Sequence, residues 1–361
     1  MMTRAIYLLV FGCLLAANHG EPAWADSPAS LLVSEFGPEE DPGNRILKYS
    51  AQTGEFLGVL VADDSGLNGP GGMLVHPVRR TLLVTSFLTN NVQEFDMDSG
   101  ERTGVFGGEV LRRPTNLYVH PTRETLLVVG RDNRAVLEFN LTNGDYLGKF
   151  ASCGGIEYAF DIDFDLDRKT MLLANYSHRG GSIEEFDLQT GEFIRTLTRE
   201  IVEPTGILVH PVTGNVLADT NHSILEFSAS SGRLLGTFAS HPDLDFPSDI
   251  AWNGVLKDVL VISRGDQQKI YRFDGMTGEF ENVFVPTGSG GLRRPSGMLV
   301  VGVPAEEAMV AVGQSDYRTK LKQPQRIRRR PIVCRQSPRR VRPTTCNTLR
   351  RNRPGMYSRP R

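Results

Sequence analysis

A turn ending in Thr/Ser/Asn-Gly recurs six times in this 361-residue chain, at Thr53-Gly54, Ser99-Gly100, Asn143-Gly144, Thr190-Gly191, Ser231-Gly232 and Thr277-Gly278. The glycines are 46, 44, 47, 41 and 46 residues apart. A period of roughly 40–50 residues, filled with short apolar runs and tight turns, is the pattern of β-propeller blades. One copy gives the grammar. Met73-Leu74-Val75 is an apolar run stopped by His76-Pro77, where proline removes a ladder donor. Thr81–Thr85 is a second apolar run, suited to a strand buried on both faces. Val92–Asp96 alternates with period two, and Arg102–Phe106 follows the glycine turn as a polar outer strand. Each unit therefore reads as four strands: inner, second, third and outer.

The remaining copies obey the same order. Inner strands open at Pro114-Thr115-Asn116, Pro204-Thr205-Gly206, Pro247-Ser248-Asp249 and Pro295-Ser296-Gly297, while Phe160-Asp161-Ile162-Asp163 lacks the proline. A phenylalanine marks each third strand (Phe95, Phe139, Phe186, Phe227, Phe273) and is expected to pack between blades. The N-terminal segment supplies second, third and outer strands without an inner one. If Met298–Val301 provides it, the ring closes as six blades from strands of both termini. If the strand-like run Glu307–Gly313 instead began a further unit, the ring would have seven. Six is the expectation. The fold class is thus an all-β propeller of four-stranded blades.

Three regions are expected: a secretory leader over 1–25, the propeller over 26–316, and a basic tail over 317–361. The leader carries Arg4, an apolar Ala5–Ala17 stretch and a small-x-small site at Ala23-Trp24-Ala25, so cleavage near Ala25 and export to a periplasmic or extracellular space are expected. No apolar run reaches membrane-spanning length. The formal charge of −2 hides a division: residues 1–316 hold 24 Lys/Arg and all 42 Asp/Glu, whereas residues 317–361 hold 16 Lys/Arg and no acid. The tail reads as a solvated natural extension, as the product of a shifted reading frame, or as a segment that binds anionic partners. Cys153, Cys334 and Cys346 are too few and too scattered for a disulfide framework or a zinc site.

The inner-strand openings, the linker Phe284–Leu292 leading into Arg293-Arg294-Pro295-Ser296-Gly297, and the recurrent Glu-Phe-Asp and Thr-Gly-Glu turns resemble the NHL-repeat, gluconolactonase-like and streptogramin-lyase-like group of secreted propellers. The likeness spans about residues 31–313. It implies a ligand where the inner strands begin, at the mouth of the axial channel. The residues there are Gly72, Asn116, Asp161, Gly206, Asp249 and Gly297. By resemblance to the lactonases, Asn116 and Asp249, with Asp161 added, would hold a divalent cation (Ca²⁺, Mg²⁺, Mn²⁺ or Zn²⁺) that polarises a lactone carbonyl. The glutamate such a site needs has Gly72 in its place; Glu35 lies in a second strand and Glu157 near Asp161. By resemblance to the lyases, a histidine near the channel would act as base. His76, His120 and His210 repeat in His-Pro turns on the far face and read as structural. His178 and His222, in second-to-third connections on the mouth face, are the catalytic candidates. No phosphate loop or nucleophile elbow is present. The leading expectation is an exported monomeric scaffold binding a protein or small molecule at the mouth, with no specific nucleic acid partner.

Overall fold

The computed structural model describes residues 28–37, 43–152, 155–178 and 180–303. They form six four-stranded antiparallel sheets. Blade 1 combines the inner strand Pro295–Val301 with Ser30–Glu35, Ile46–Ser50 and Phe56–Val61. Blade 2 is Pro70–Val75, Leu82–Ser86, Asn91–Phe95 and Arg102–Phe106; blade 3 is Pro114–Val119, Thr125–Gly130, Ala135–Asn140 and Tyr146–Ala151. Blade 4 runs Tyr158–Asp165, Thr170–Tyr176, Ser182–Asp187 and Phe193–Thr198. Blade 5 is Ile207–Val209, Val216–Asp219, Ser223–Phe227 and Leu234–Ser240, and blade 6 is Pro247–Asn253, Asp258–Ser263, Lys269–Asp274 and Phe280–Val285. Inner strands neighbour one another in ring order, and the ring is six-bladed, not seven. The leader, Glu307–Gly313, the tail and Cys153, Cys334 and Cys346 fall outside the described residues. Among the described residues no helix is long and apolar enough to cross a membrane.

The alternation of polar and apolar residues is explained by where each strand stands. Second strands are buried on both faces, as in Leu82–Ser86, whereas outer strands such as Arg102–Phe106 are largely exposed. Phe95, Phe139, Phe186, Phe227 and Phe273 are fully buried, and Tyr49 takes their place in blade 1. These rings fill the wedge between neighbouring sheets, where flat blades diverge from the axis.

The glycine turn joins blades as well as strands. In blade 4 the Asp187 carboxylate accepts the Gln189 and Thr190 amides, closing the turn. Gly191 then adopts φ 69°, and a Cβ there would overlap the Phe150 carbonyl oxygen of blade 3. Glycine is needed for the left-handed backbone and for the close approach together. Gly191→Ala is expected to lower stability by about 2 kcal/mol or more, read as a fall in urea midpoint at constant slope; an unchanged midpoint would refute this account.

On the far face the His-Pro turns are structural, as expected. His76, His120 and His210 are buried, and their Nδ1 atoms accept turn amides from Val78 and Arg79, Thr122, and Val212 and Thr213. That leaves Nε2–H to donate to a carbonyl of the next blade: Leu141 at 2.9 Å, Leu188 at 2.7 Å and Gly275. Burial holds His120 down at about 4, so it remains neutral and keeps this tautomer.

Blade closure rests on more than the sheet. Ser30 pairs with Val301 and Ser34 with Gly297. At the end of the same strand the buried Glu35 carboxylate accepts Arg45 Nε–H at 2.6 Å and the Arg293 amide at 2.6 Å, tying the N-terminal strands to the lead-in of the inner strand. Glu35 thus fastens the ring and takes no place at the channel mouth.

Candidate functional site at the channel mouth

At one end of the axis lies a cavity of about 380 Å³, walled by residues from all six blades. A repeated local device builds its wall. The residue before each inner-strand proline has a left-handed backbone: Gly69, Arg113, Glu203, Phe246 and Arg294, with φ between 44° and 64°. Non-glycine residues resist this conformation, all the more before proline, so tertiary contacts must hold it. At four of the five the holding contact is a backbone hydrogen bond from the residue just past the second strand. Phe36 N–H donates to the Arg294 carbonyl, Phe87 to Gly69, Arg131 to Arg113, and Arg264 to Phe246, all at 3.0–3.1 Å. Each such hydrogen bond joins two side-chain positions at the rim.

The side chains so placed form a belt of alternating arginines and aromatic rings. The Arg264 guanidinium lies 4.9 Å from the Phe36 ring centre, and Phe36 meets Phe87 edge-on at 5.7 Å. Phe87 in turn carries Arg113 at 5.5 Å and Arg131 at 6.0 Å, and Arg131 continues to Tyr158 at 4.3 Å and Phe160 at 5.5 Å. Asp132 pairs with Arg131 at 2.9 Å and Arg113 at 3.5 Å. Among the described residues Arg264 has no hydrogen-bond or ion-pair partner for its guanidinium. Crowding by the cavity walls, and secondarily the Arg294 charge, pull its pKa below the ordinary arginine value, although the side chain stays exposed to solvent at the mouth.

The floor is built from the inner-strand openings. Asp161 is 3% exposed and is the hub. Its Oδ1 accepts Asn116 Nδ2–H at 2.7 Å, Tyr118 O–H at 2.5 Å and its own neighbour's Ile162 N–H at 2.9 Å; Oδ2 accepts Ile207 N–H at 3.1 Å. One carboxylate therefore fastens blades 3, 4 and 5. Asp249 does the same for blades 6 and 1, accepting Ile250 N–H at 2.9 Å and Met298 N–H at 2.6 Å. Gly72 is empty of side chain because a Cβ would overlap Asn116 Oδ1. Burial raises Asp161 to about 6 and lifts Asp249 well above the usual carboxylate range. Two further acids, Asp163 and Asp219, are each pushed by burial to about 7.

The structure thus brings Asn116 and Asp161 into direct contact and places Asp249 in a separate hydrogen-bonded clasp. As arranged, these side chains are engaged with one another and with backbone amides. Asn116 turns its amide nitrogen to Asp161 while its oxygen accepts Leu117 N–H at 2.9 Å, and each Asp161 oxygen accepts at least one hydrogen bond. Among the described residues no three His, Cys, Asp or Glu side chains converge as a metal site. His178 and His222 stand on the rim, 66% and 72% exposed, near Glu203 at 3.9 Å and Asp245 at 3.6 Å. Neither lines the cavity.

Sequence reasoning found the floor positions but missed the belt, Tyr118, Asp163 and Asp219. The belt has a readable signal: the position just past the second strand is Phe36, Phe87, Arg131 and Arg264, where a solvent-facing turn would carry small polar residues.

The fold and this mouth define a six-bladed β-propeller with a ring-shaped concave site. No family model matches the chain, and no curated protein matches its sequence. Among solved structures it is similar to a chain in a structure described as a nidogen/laminin complex, with a TM-score of 0.62 and 12% identity, over 79% of this chain and 99% of that one. That likeness shows the shared propeller fold.

Proposed function

We propose that this protein is an exported binding propeller whose ligand docks at the channel mouth. The observation that supports this reading is the cavity of about 380 Å³ whose rim residues are held in a left-handed backbone by a repeated hydrogen bond. Strain maintained at the same point of several blades serves the aim of the side chains, since ordinary strand entry would need none of it. Concave, mostly apolar sites of this size with a few fixed polar groups are the usual form of a ligand site. The leader expected at residues 1–25 supplies the export. No catalytic step is assigned.

Ser248 lines the cavity, and Ser248→Trp should fill it. In a ligand-detected NMR screen of small fragments, the compounds that bind the wild-type protein are expected to lose binding to the folded variant. Retention of the same hits by Ser248→Trp would remove the mouth as the site.

A further inference from the structure

We infer that the mouth receives a small planar monoanion, an aromatic or conjugated acid, with Arg264 holding the charged group and the Phe36–Phe87 corner supporting the body. This rests on the mouth-binding reading and adds the chemistry of the ligand.

A folded protein normally gives a sheltered guanidinium an acceptor. Several guanidinium groups on this propeller have acceptors, among them Arg79 on Glu94 at 2.6 Å, Arg168 on Glu185 at 3.0 Å and Arg272 on Asp258 at 2.5 Å, and those without one, such as Arg102 and Arg233, are exposed on the outer strands or turns away from the cavity. Arg264 is the exception at the cavity. It contributes five N–H donors in a fixed plane, set in a concavity with apolar walls, and no carboxylate or carbonyl among the described residues meets them. The two other arginines lining the cavity share Asp132, so their charge is partly answered; that of Arg264 is not.

Nor does the floor supply the missing anion. The oxygens of Asp161 and Asp249 accept backbone amides of their own and adjoining blades. They cannot turn toward the rim without abandoning those bonds. An acid from outside is the group that completes Arg264, and a guanidinium fork matches the two oxygens of a carboxylate.

The body of the ligand follows from the neighbours. Phe36 lies under Arg264 and meets Phe87 edge-on at 5.7 Å, which leaves a ring-sized apolar corner beside the cation. A flat conjugated acid would stack there while its charged end reaches the guanidinium. The cavity volume equals that of roughly a dozen waters, enough for a two-ring molecule and too small for a folded partner's loop to enter fully.

The test compares 2-naphthoate with its neutral isostere 2-naphthamide by calorimetry on the wild-type protein, Arg264→Gln and Ser248→Trp. Wild type is expected to prefer the acid by at least about tenfold, and Arg264→Gln to reduce that preference to about one while leaving amide affinity unchanged. Because the guanidinium makes no bond within the protein, the variant should fold normally. Equal affinity for acid and amide, absence of naphthoate binding, or a preference that survives in Arg264→Gln would overturn the inference. Equal affinities that both vanish in Ser248→Trp would overturn only the charge assignment. Binding indifferent to Ser248→Trp would instead overturn the mouth reading itself.

Discussion

Glu35→Ala is expected to destabilise the propeller by about 3–5 kcal/mol, the range for removing one partner of a buried ion pair. The carboxylate is inaccessible to solvent, and it is the acceptor for both Arg45 Nε–H and the Arg293 amide. Deleting it removes the acceptor of the Arg293 amide and of Arg45 Nε–H. Arg45 would keep its bond to the Gly291 carbonyl at 2.9 Å and the nearby Asp63 charge. Glu35→Gln preserves an acceptor and should lose about half as much. Urea denaturation measures the difference, and hydrogen exchange locates it: amides of Pro295–Val301 and Ser30–Glu35 should lose protection before those of blades 3 and 4. A change below 1 kcal/mol, or uniform loss of protection, would remove Glu35 as the fastener of the ring.

The second large effect depends on pH. Asp219 is 1% exposed, and burial raises it from 3.8 to about 7. Between those values the folded state holds a proton that the unfolded state has released. The contribution of Asp219 is therefore complete below pH 4 and disappears as pH rises through 7. Asp219→Asn removes the titration while keeping the local bonds. Its oxygen can still accept the Thr205 amide, now at 2.6 Å, and its nitrogen can donate to the Thr205 hydroxyl, which retains the Pro247 carbonyl as acceptor. Wild type and variant should have similar stability at pH 4. Across the window the variant should gain about 1.4 kcal/mol per pH unit, reaching on the order of 4 kcal/mol by pH 7. Parallel stability curves from pH 4 to 8 would show that Asp219 does not titrate in this window.

The architecture was legible in the sequence because each strand class has its own pattern. Double burial gives the unbroken run Leu82–Val84 and the left-handed turn needs Gly100 or its equivalents, whereas the polar Gln93 of the third strand, which alternation would place in solvent, is buried and donates to the Gly66 carbonyl. Even the mixed origin of blade 1 could be read, because the N-terminal unit begins one strand late. The mouth was legible only in part. Asn116, Asp161 and Asp249 stand out as polar residues at inner-strand openings, but the sequence does not say whether their oxygens face a ligand or a neighbouring amide. They face amides, since an inner strand presents an edge whose N–H groups need acceptors from the adjoining blade. Arg264 and Phe36 lie 228 positions apart, and their contact arises only because the last blade returns to the first.

That return also imposes a schedule on synthesis. Ser30, near the start of the described chain, finds its partner Val301 only after nearly the whole propeller has left the ribosome. At 5–20 residues per second the wait is roughly a quarter of a minute to a minute. Through that interval the strand Ser30–Glu35 has one side paired with Ile46–Ser50 and the other side bare. Any chain interrupted before Pro295 would keep this bare edge permanently, and an unpaired strand edge is the part of a sheet that recruits other polypeptides. For this protein an incomplete copy is expected to be adhesive, and completion of the last strand is what ends the hazard.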